Sequence, residues 1–215
     1  MVQTPLSPHT LYPDSDGKPM ADNTLQYQWI VRLVENLRVL LQDEVAFVAG
    51  DLLWYPVQVE QGKPPTQAPD AMVVLGRPAG HRGSYKQWQE DNIPPQVVFE
   101  ILSPSNTRHE MVQKQLFYQQ HGVLEMYFYD PESQDFWGFS RQQADADCVL
   151  LTRLNLPWVS PLLQIRFEWF EDGLAVFYPD GAPFKDFETL ANDLTQAQAE
   201  RDQAQVERDA AFAKL

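Results

Sequence analysis

The sequence predicts an α/β fold, with a mixed central sheet flanked by two helices and a helical tail at the C-terminal end. Three observations carry that expectation. Two apolar runs, at about 70–75 and 96–102, have the length and the Val/Ile content of buried strands and are bounded by Pro and Gly. Ile30, Leu33, Val34, Leu37, Leu40 and Leu41 recur at helical spacing, which gives one helix a face for the core. From residue 184 to Leu215 the chain holds neither Gly nor Pro, and Ala, Gln, Glu, Arg and Asp dominate.

The elements follow in order. Residues 1–22, rich in Pro, Asp and Gly, read as a loose arm. Asn23 or Thr24 can cap the first helix. Residues 45–49 and 52–59 read as a strand pair turning at Gly50 and Asp51, and Gln61-Gly62-Lys63-Pro64-Pro65 is a loop. After the 70–75 strand comes a long connection, 76–95, of the kind that usually carries function or moves. The 96–102 strand leads to a helix over about 107–121 that stops at Gly122. Residues 124–129 and 134–139 form a hairpin around Asp130-Pro131-Glu132, and shorter strands are expected at 148–154, 164–168 and 174–178, before a break at Asp180-Gly181 and Pro183. Three regions result: an arm, 1–22; a core domain, 23–183; and a helical tail, 184–215. In the tail, Ala199-Glu200-Arg201-Asp202 returns seven residues later as Val206-Glu207-Arg208-Asp209, an echo that fits either a coiled coil or a long surface helix.

Composition narrows the function classes. At 44% hydrophobic and 12% aromatic the chain is globular. No apolar run approaches the roughly 20 residues of a membrane span, and the start, Met1-Val2-Gln3-Thr4-Pro5, lacks the regions of a signal peptide. Cys148 is the single cysteine, which excludes a disulfide framework and a thiolate metal cluster. The expected compartment is the cytoplasm, with no membrane partner. The net charge is −14; residues 186–215 carry seven acids and three bases, net −4, and residues 1–185 keep −10. Non-specific grip on nucleic acid runs through Lys and Arg, so a nucleic-acid substrate would need a local basic groove or metal ions to offset this field.

The chemistry lies in two acids on the neighbouring apolar runs: Asp70 in Pro69-Asp70-Ala71-Met72-Val73-Val74, and Glu100 in Val97-Val98-Phe99-Glu100-Ile101-Leu102. Buried carboxylates are costly unless something compensates them, and a divalent metal is one compensator. Val98, Glu100 and Leu102 share one strand face, while Val97, Phe99 and Ile101 share the other. If the two strands pair, Asp70 and Glu100 can converge. Two carboxylates and the Ile101 carbonyl would then offer hard oxygens to Mg²⁺ or Mn²⁺ for a phosphodiesterase reaction.

Further residues make the pattern specific. Pro69-Asp70, Glu100-Ile101-Leu102-Ser103-Pro104-Ser105, Lys114 with Tyr118, Gly122-Val123 followed by Glu125, and Asp130-Pro131 occur in one order over roughly 23–180. In this the chain resembles the bacterial restriction-endonuclease family of the Uma-two type, a branch of the PD-(D/E)XK nuclease superfamily. The resemblance implies a restriction-endonuclease-like core and a Mg²⁺- or Mn²⁺-dependent endonuclease hydrolysing phosphodiester bonds, DNA being the expected substrate. It implies Asp70, Glu100 and Lys114 as catalytic residues, with Asp70, Glu100 and the Ile101 carbonyl on the metal. The chain departs from the superfamily pattern at Leu102, where a Lys is expected two residues after the Glu; the family typically moves that Lys to the following helix, where Lys114 stands.

Plainer readings compete. Glu110 and Lys114 are also an ordinary i,i+4 surface pair. Asp51 is either a turn residue or an acid near the metal. Glu35 lies opposite the apolar stripe, and His9, His81, His109 and His121 show no ligand spacing. Ser103-Pro104-Ser105 reads as a strand end rather than a nucleophile. Arg77, Arg82 and Lys86 sit in the long loop, either solvated or within reach of a substrate phosphate. Trp54, Trp88, Trp137, Trp158 and Trp169 read as core or hairpin packing. The rival function is a non-catalytic interaction protein that retains the fold. A homodimer is expected, using a face of the core as well as the Ala-rich tail.

Overall fold

The computed structural model describes residues 11–17, 19–186, 188–192, 195, 196, 198, 199, 201, 203 and 208. The chain divides into two compact units, Met1–Phe184 and Lys185–Leu215. Residues 188–192 of the second unit are helical; most of the heptad echo at 199–202 and 206–209 lies outside the described residues.

The first unit is built on a six-stranded mixed sheet. Its strands are β1 (Ala46–Ala49), β3 (Ala71–Leu75), β5 (Val97–Ile101), β6 (Glu125–Asp130), β7 (Asp135–Ser140) and β8 (Val149–Thr152), in that spatial order. Only β5 and β6 run parallel. A parallel pair needs a crossover, and α2 (Arg108–Gln120) supplies it. Thr107 caps that helix by accepting the Glu110 N–H at 3.1 Å, and Gly122, at φ 96°, releases the chain into β6. The other helix, α1 (Thr24–Leu40), is capped by Asn23, whose side chain accepts the Gln26 N–H at 2.8 Å.

Each sheet face buries its own residues. On one face, Trp29, Ile30, Leu33, Val34 and Leu37 of α1 pack on Val73, Val97, Phe99 and Ile101; this cluster extends to Phe167 and Val176 of a three-stranded sheet of β9 (Trp158–Val159), β10 (Arg166–Phe170) and β11 (Gly173–Phe177). On the other face, Met111 and Tyr118 of α2 join Met72, Val74, Val98, Met126 and Phe128. Strand parity makes this division: Glu100 falls on the α2 face and its neighbours Phe99 and Ile101 on the α1 face.

The sheet differs from the expected one near its edge. Residues 52–59 do not pair with β1, whose partner is β3. Instead β2 (Trp54–Tyr55) makes a separate parallel pair with β4 (Tyr85–Lys86). The reason is the turn: Asp51 takes φ 47°, and its N–H donates to the Pro69 carbonyl at 3.1 Å, which turns the chain out of the sheet. Gly50 permits it, because a Cβ there would meet Val34 at 2.9 Å and the Asp70 carbonyl oxygen at 3.2 Å. Trp54, fully buried, then anchors β2 by exchanging backbone bonds with Gln67. Strand β9, two residues long, carries no sequence signal.

Within the expected arm, Tyr12 and Pro13 are held against the core domain. Tyr12 is buried against Tyr55 and Trp88; its hydroxyl donates to the Val59 carbonyl at 2.9 Å and accepts the Val59 N–H at 2.7 Å. The Tyr55 hydroxyl donates to the Pro13 carbonyl at 2.7 Å.

Candidate active site

Asp70 and Glu100 meet because of register. Strands β3 and β5 are antiparallel with Ala71 opposite Phe99 and Met72 opposite Val98. One step further along that register sets Asp70 opposite Glu100, and parity puts both on the α2 face. Both are buried, Glu100 at 2% exposure. Asp70 Oδ2 accepts the Ile101 N–H at 2.6 Å, which holds its carboxylate at the end of the ladder.

Helix α2 delivers two donors to the second carboxylate. Lys114 Nζ donates to Glu100 Oε2 at 2.6 Å, and the Tyr118 hydroxyl donates to Glu100 Oε1. Lys114 and Tyr118 are one turn apart on one face of α2, so both reach down to β5. Lys114 thus turns inward to Glu100, and a surface pair with Glu110 does not describe it. Leu102, where the superfamily pattern has a Lys, packs at the margin of the apolar cluster under α2.

The electrostatics follow from burial and proximity. Burial, then the Glu100 charge, pushes the Asp70 carboxyl well above its ordinary value; Lys114 and the Ile101 N–H oppose that push. Burial alone would lower Lys114, but Glu100 and Asp70 outweigh it and hold the ammonium above its ordinary value. Burial and the Glu100 charge raise Tyr118, keeping its hydroxyl protonated as a donor. Asp51 is raised by its own burial and by Asp16.

Asp51, Asp70 and Lys114 border a polar cleft of 390 Å³, lined also by Asp16, Asp22 and Gln26, with Glu100 behind Lys114. Three carboxylates, Asp51, Asp70 and Glu100, influence one another there against the single ammonium of Lys114. An excess of negative charge on hard oxygens is the donor chemistry of Mg²⁺ or Mn²⁺, so the residues fit such an ion. Among the described residues, no three His, Cys, Asp or Glu side chains cluster closely enough to hold a metal without other donors.

A family model described as "Putative restriction endonuclease", Uma2, matches residues 17–176. The chain belongs to that family. A solved structure titled a "putative nuclease belonging to DUF820", from Anabaena variabilis ATCC 29413, aligns at a TM-score of 0.47 and 16% identity, covering 70% of this chain and 81% of that chain. No curated protein matches the chain. The architecture is mixed α/β, and the Uma2 assignment supports a nuclease-like function.

Other residues singled out in the Uma2 chain fall elsewhere. Arg77 and Arg82 both bind Glu90, at 2.9 and 2.7 Å, so the loop's two Arg charges are engaged within the loop. Glu35 pairs with Arg38 at the surface. His121, expected at the surface, is half-buried between Trp54 and Phe117, and burial lowers its pKa. Trp54 is core, and Trp137 stacks on Phe128. Among the described residues, no helix is long and apolar enough to cross a membrane.

The hydrogen-bond partners of Gln26 and Glu125 are not legible in the sequence. Gln26, buried in α1, donates from Nε2 to the Ile101 carbonyl at 2.7 Å. Its signal was available: four residues before Ile30, it continues the apolar stripe as a polar interruption. Glu125, also buried, accepts the Ser160 hydroxyl at 2.5 Å, the Leu162 N–H at 2.8 Å and the Tyr127 hydroxyl at 2.9 Å. It ties β6 to the segment leading into β10 on the face away from α2, a structural assignment for an acid that a motif-based reading leaves ambiguous.

Proposed function

We propose that the protein is a divalent-metal-dependent endonuclease hydrolysing phosphodiester bonds in nucleic acid, DNA being the expected form. The observation that carries this is the convergence of Asp70 and Glu100 at one end of the β3–β5 ladder, with Lys114 bound to Glu100. Asp70, Glu100 and the Ile101 carbonyl would hold Mg²⁺ or Mn²⁺, with Asp51 bordering the set. When bound, the ion supplies Lewis acidity, easing deprotonation of the attacking water and offsetting charge on the phosphoryl oxygens.

The chain's own residues do the rest. Lys114 has three N–H donors and spends one on Glu100; the others can orient the water or donate to a phosphate oxygen. Tyr118 holds the Glu100 carboxylate in one rotamer. The Ile101 N–H keeps Asp70 aimed across the strand pair. We further propose that residues 23–183 form the nuclease domain, that the tail from 184 is helical, and that the protein works as a two-fold homodimer in the cytoplasm.

The test is to incubate purified protein with supercoiled plasmid, single-stranded DNA and RNA, each with Mg²⁺, Mn²⁺ or chelator. Metal-dependent cleavage of at least one substrate, absent in Asp70→Asn and Glu100→Gln, is expected. No cleavage of any of the three under either metal would favour the non-catalytic interaction protein.

A further inference from the structure

Four hydrogen bonds tie the segment before α1 and the first turn of α1 to the site. The Asp22 carboxylate accepts the Ser103 hydroxyl at 2.6 Å and also the Ser105 hydroxyl, both just beyond β5. The Asp22 N–H donates to Gln26 Oε1 at 2.8 Å. Gln26 Nε2 then donates to the Ile101 carbonyl at 2.7 Å. The amide of Gln26 is thus fixed at both ends, and it is 6% exposed. A buried amide with one acceptor and one donor placed has a single orientation.

We propose that Gln26 is a positioning residue for the site. Held by Asp22, its side chain aims the Ile101 carbonyl at the Asp70–Glu100 pair, and the Ser103-Pro104-Ser105 turn is the latch that seats Asp22. This rests on the proposed metal-dependent reading and extends it to the segment ahead of the first helix, which becomes a working part of the site. A carbonyl oxygen has two lone pairs; Gln26 engages one and leaves the other for a cation. Partners of this outer kind commonly change metal affinity about 10- to 100-fold when removed.

The experiment is calorimetric titration of the full-length protein with Mn²⁺, alongside a thermal melt. The variants are Gln26→Leu, Asp22→Ala and a control, Asn36→Leu. Asn36 is buried on the same helix, where it donates to the Arg32 carbonyl and accepts from Tyr178. Asp22 lies ahead of the Asn23 cap, outside α1, so Asp22→Ala keeps the question answerable if Gln26→Leu does not fold. Gln26→Leu is expected to weaken Mn²⁺ binding about tenfold or more and Asp22→Ala by a smaller factor. Asn36→Leu should melt lower while binding Mn²⁺ as the wild type does. Equal Mn²⁺ affinity in wild type and both site variants would overturn the positioning role and leave the nuclease reading standing. A wild type that binds no Mn²⁺, or binds it equally well as Asp70→Asn, would overturn that reading and this inference together.

Discussion

Lys114 Nζ lies 2.6 Å from Glu100 Oε2, although the two residues are 14 positions apart and on different elements. Its side chain is 15% exposed and that of Glu100 2%. The pair is therefore buried, and removing one member leaves a charge without its partner, a loss of about 3–5 kcal/mol in comparable sites. Lys114→Ala is expected to lose both stability and turnover. Lys114→Arg keeps the charge, should melt close to the wild type, and should still lose turnover about tenfold or more, because a planar guanidinium cannot reproduce the ammonium's position. Melting curves and initial rates on the same preparations check this.

A Lys restored at position 102 offers a complementary reading. Position 102 follows Glu100 by two residues on the β5 side, the place the superfamily uses. In a Lys114→Ala background, Leu102→Lys is expected to recover part of the lost turnover without restoring full stability, since Leu102 also packs against the α2 cluster. No recovery in a folded double variant would count against Lys114 acting as the displaced lysine.

Tyr118 combines packing with a hydrogen bond. Its ring stacks on Trp54 and its hydroxyl reaches Glu100. Tyr118→Phe keeps the ring and removes the donor, so the expected cost is about 1.5–3 kcal/mol, the range for a bond to a charged group. Urea unfolding of the metal-free protein measures it. Mn²⁺ affinity should fall as well, because Glu100 loses the contact that fixes its rotamer.

Asp70 sets the pH dependence. Burial and Glu100 raise its pKa in the folded state. A carboxyl raised in this way binds its proton more tightly folded than unfolded, so metal-free stability is greatest below the ordinary carboxylate value and declines as pH rises through the raised one. Metal binding needs the ionised form and runs the opposite way, strengthening as pH rises through the same value. Asp70→Asn can keep the bond from the Ile101 N–H while removing the charge. It is expected to stabilise the metal-free protein at neutral pH by on the order of 1 kcal/mol, about 2–4 °C in Tm, while abolishing cleavage. A lower Tm for Asp70→Asn would show that the buried charge is not a cost.

The tail bears on assembly. The Met1–Phe184 unit is compact by itself. Truncation after Asp186 is expected to leave its melting temperature nearly unchanged and to leave a dimer detectable by light scattering, because an Ala-rich seam buries little area. Loss of the dimer on truncation would show that the tail alone holds it together.

The core of the fold was legible because its signals are local. Asn23 caps the first helix where its side chain predicts, α2 begins next to the expected residue 107, and Gly122 ends it where its positive φ is needed. The apolar runs around Asp70 and Glu100 became strands for the same reason. Pairing was less legible, since it depends on what each strand meets. Residues 52–59 look like the natural partner of β1, but Asp51 turns the chain away and Trp54 pairs with Gln67 and Tyr85 instead. At the site, strand parity fixed the face of Glu100, and β3–β5 register, which no single strand encodes, set Asp70 opposite it. Gln26 stands in the sequence as a polar interruption of the stripe, but nothing local announces its partner, a backbone carbonyl 75 residues away.

The central claim is that Asp70 and Glu100 form one metal site, and crystals grown with Mn²⁺ test it most directly. Anomalous scattering at the manganese edge should give a peak in the cleft with ligand oxygens of both Asp70 and Glu100 about 2.0–2.6 Å away, and the Asp70→Asn crystal should lose it. Crystals with no peak there, or a peak bound by neither carboxylate, would contradict the account.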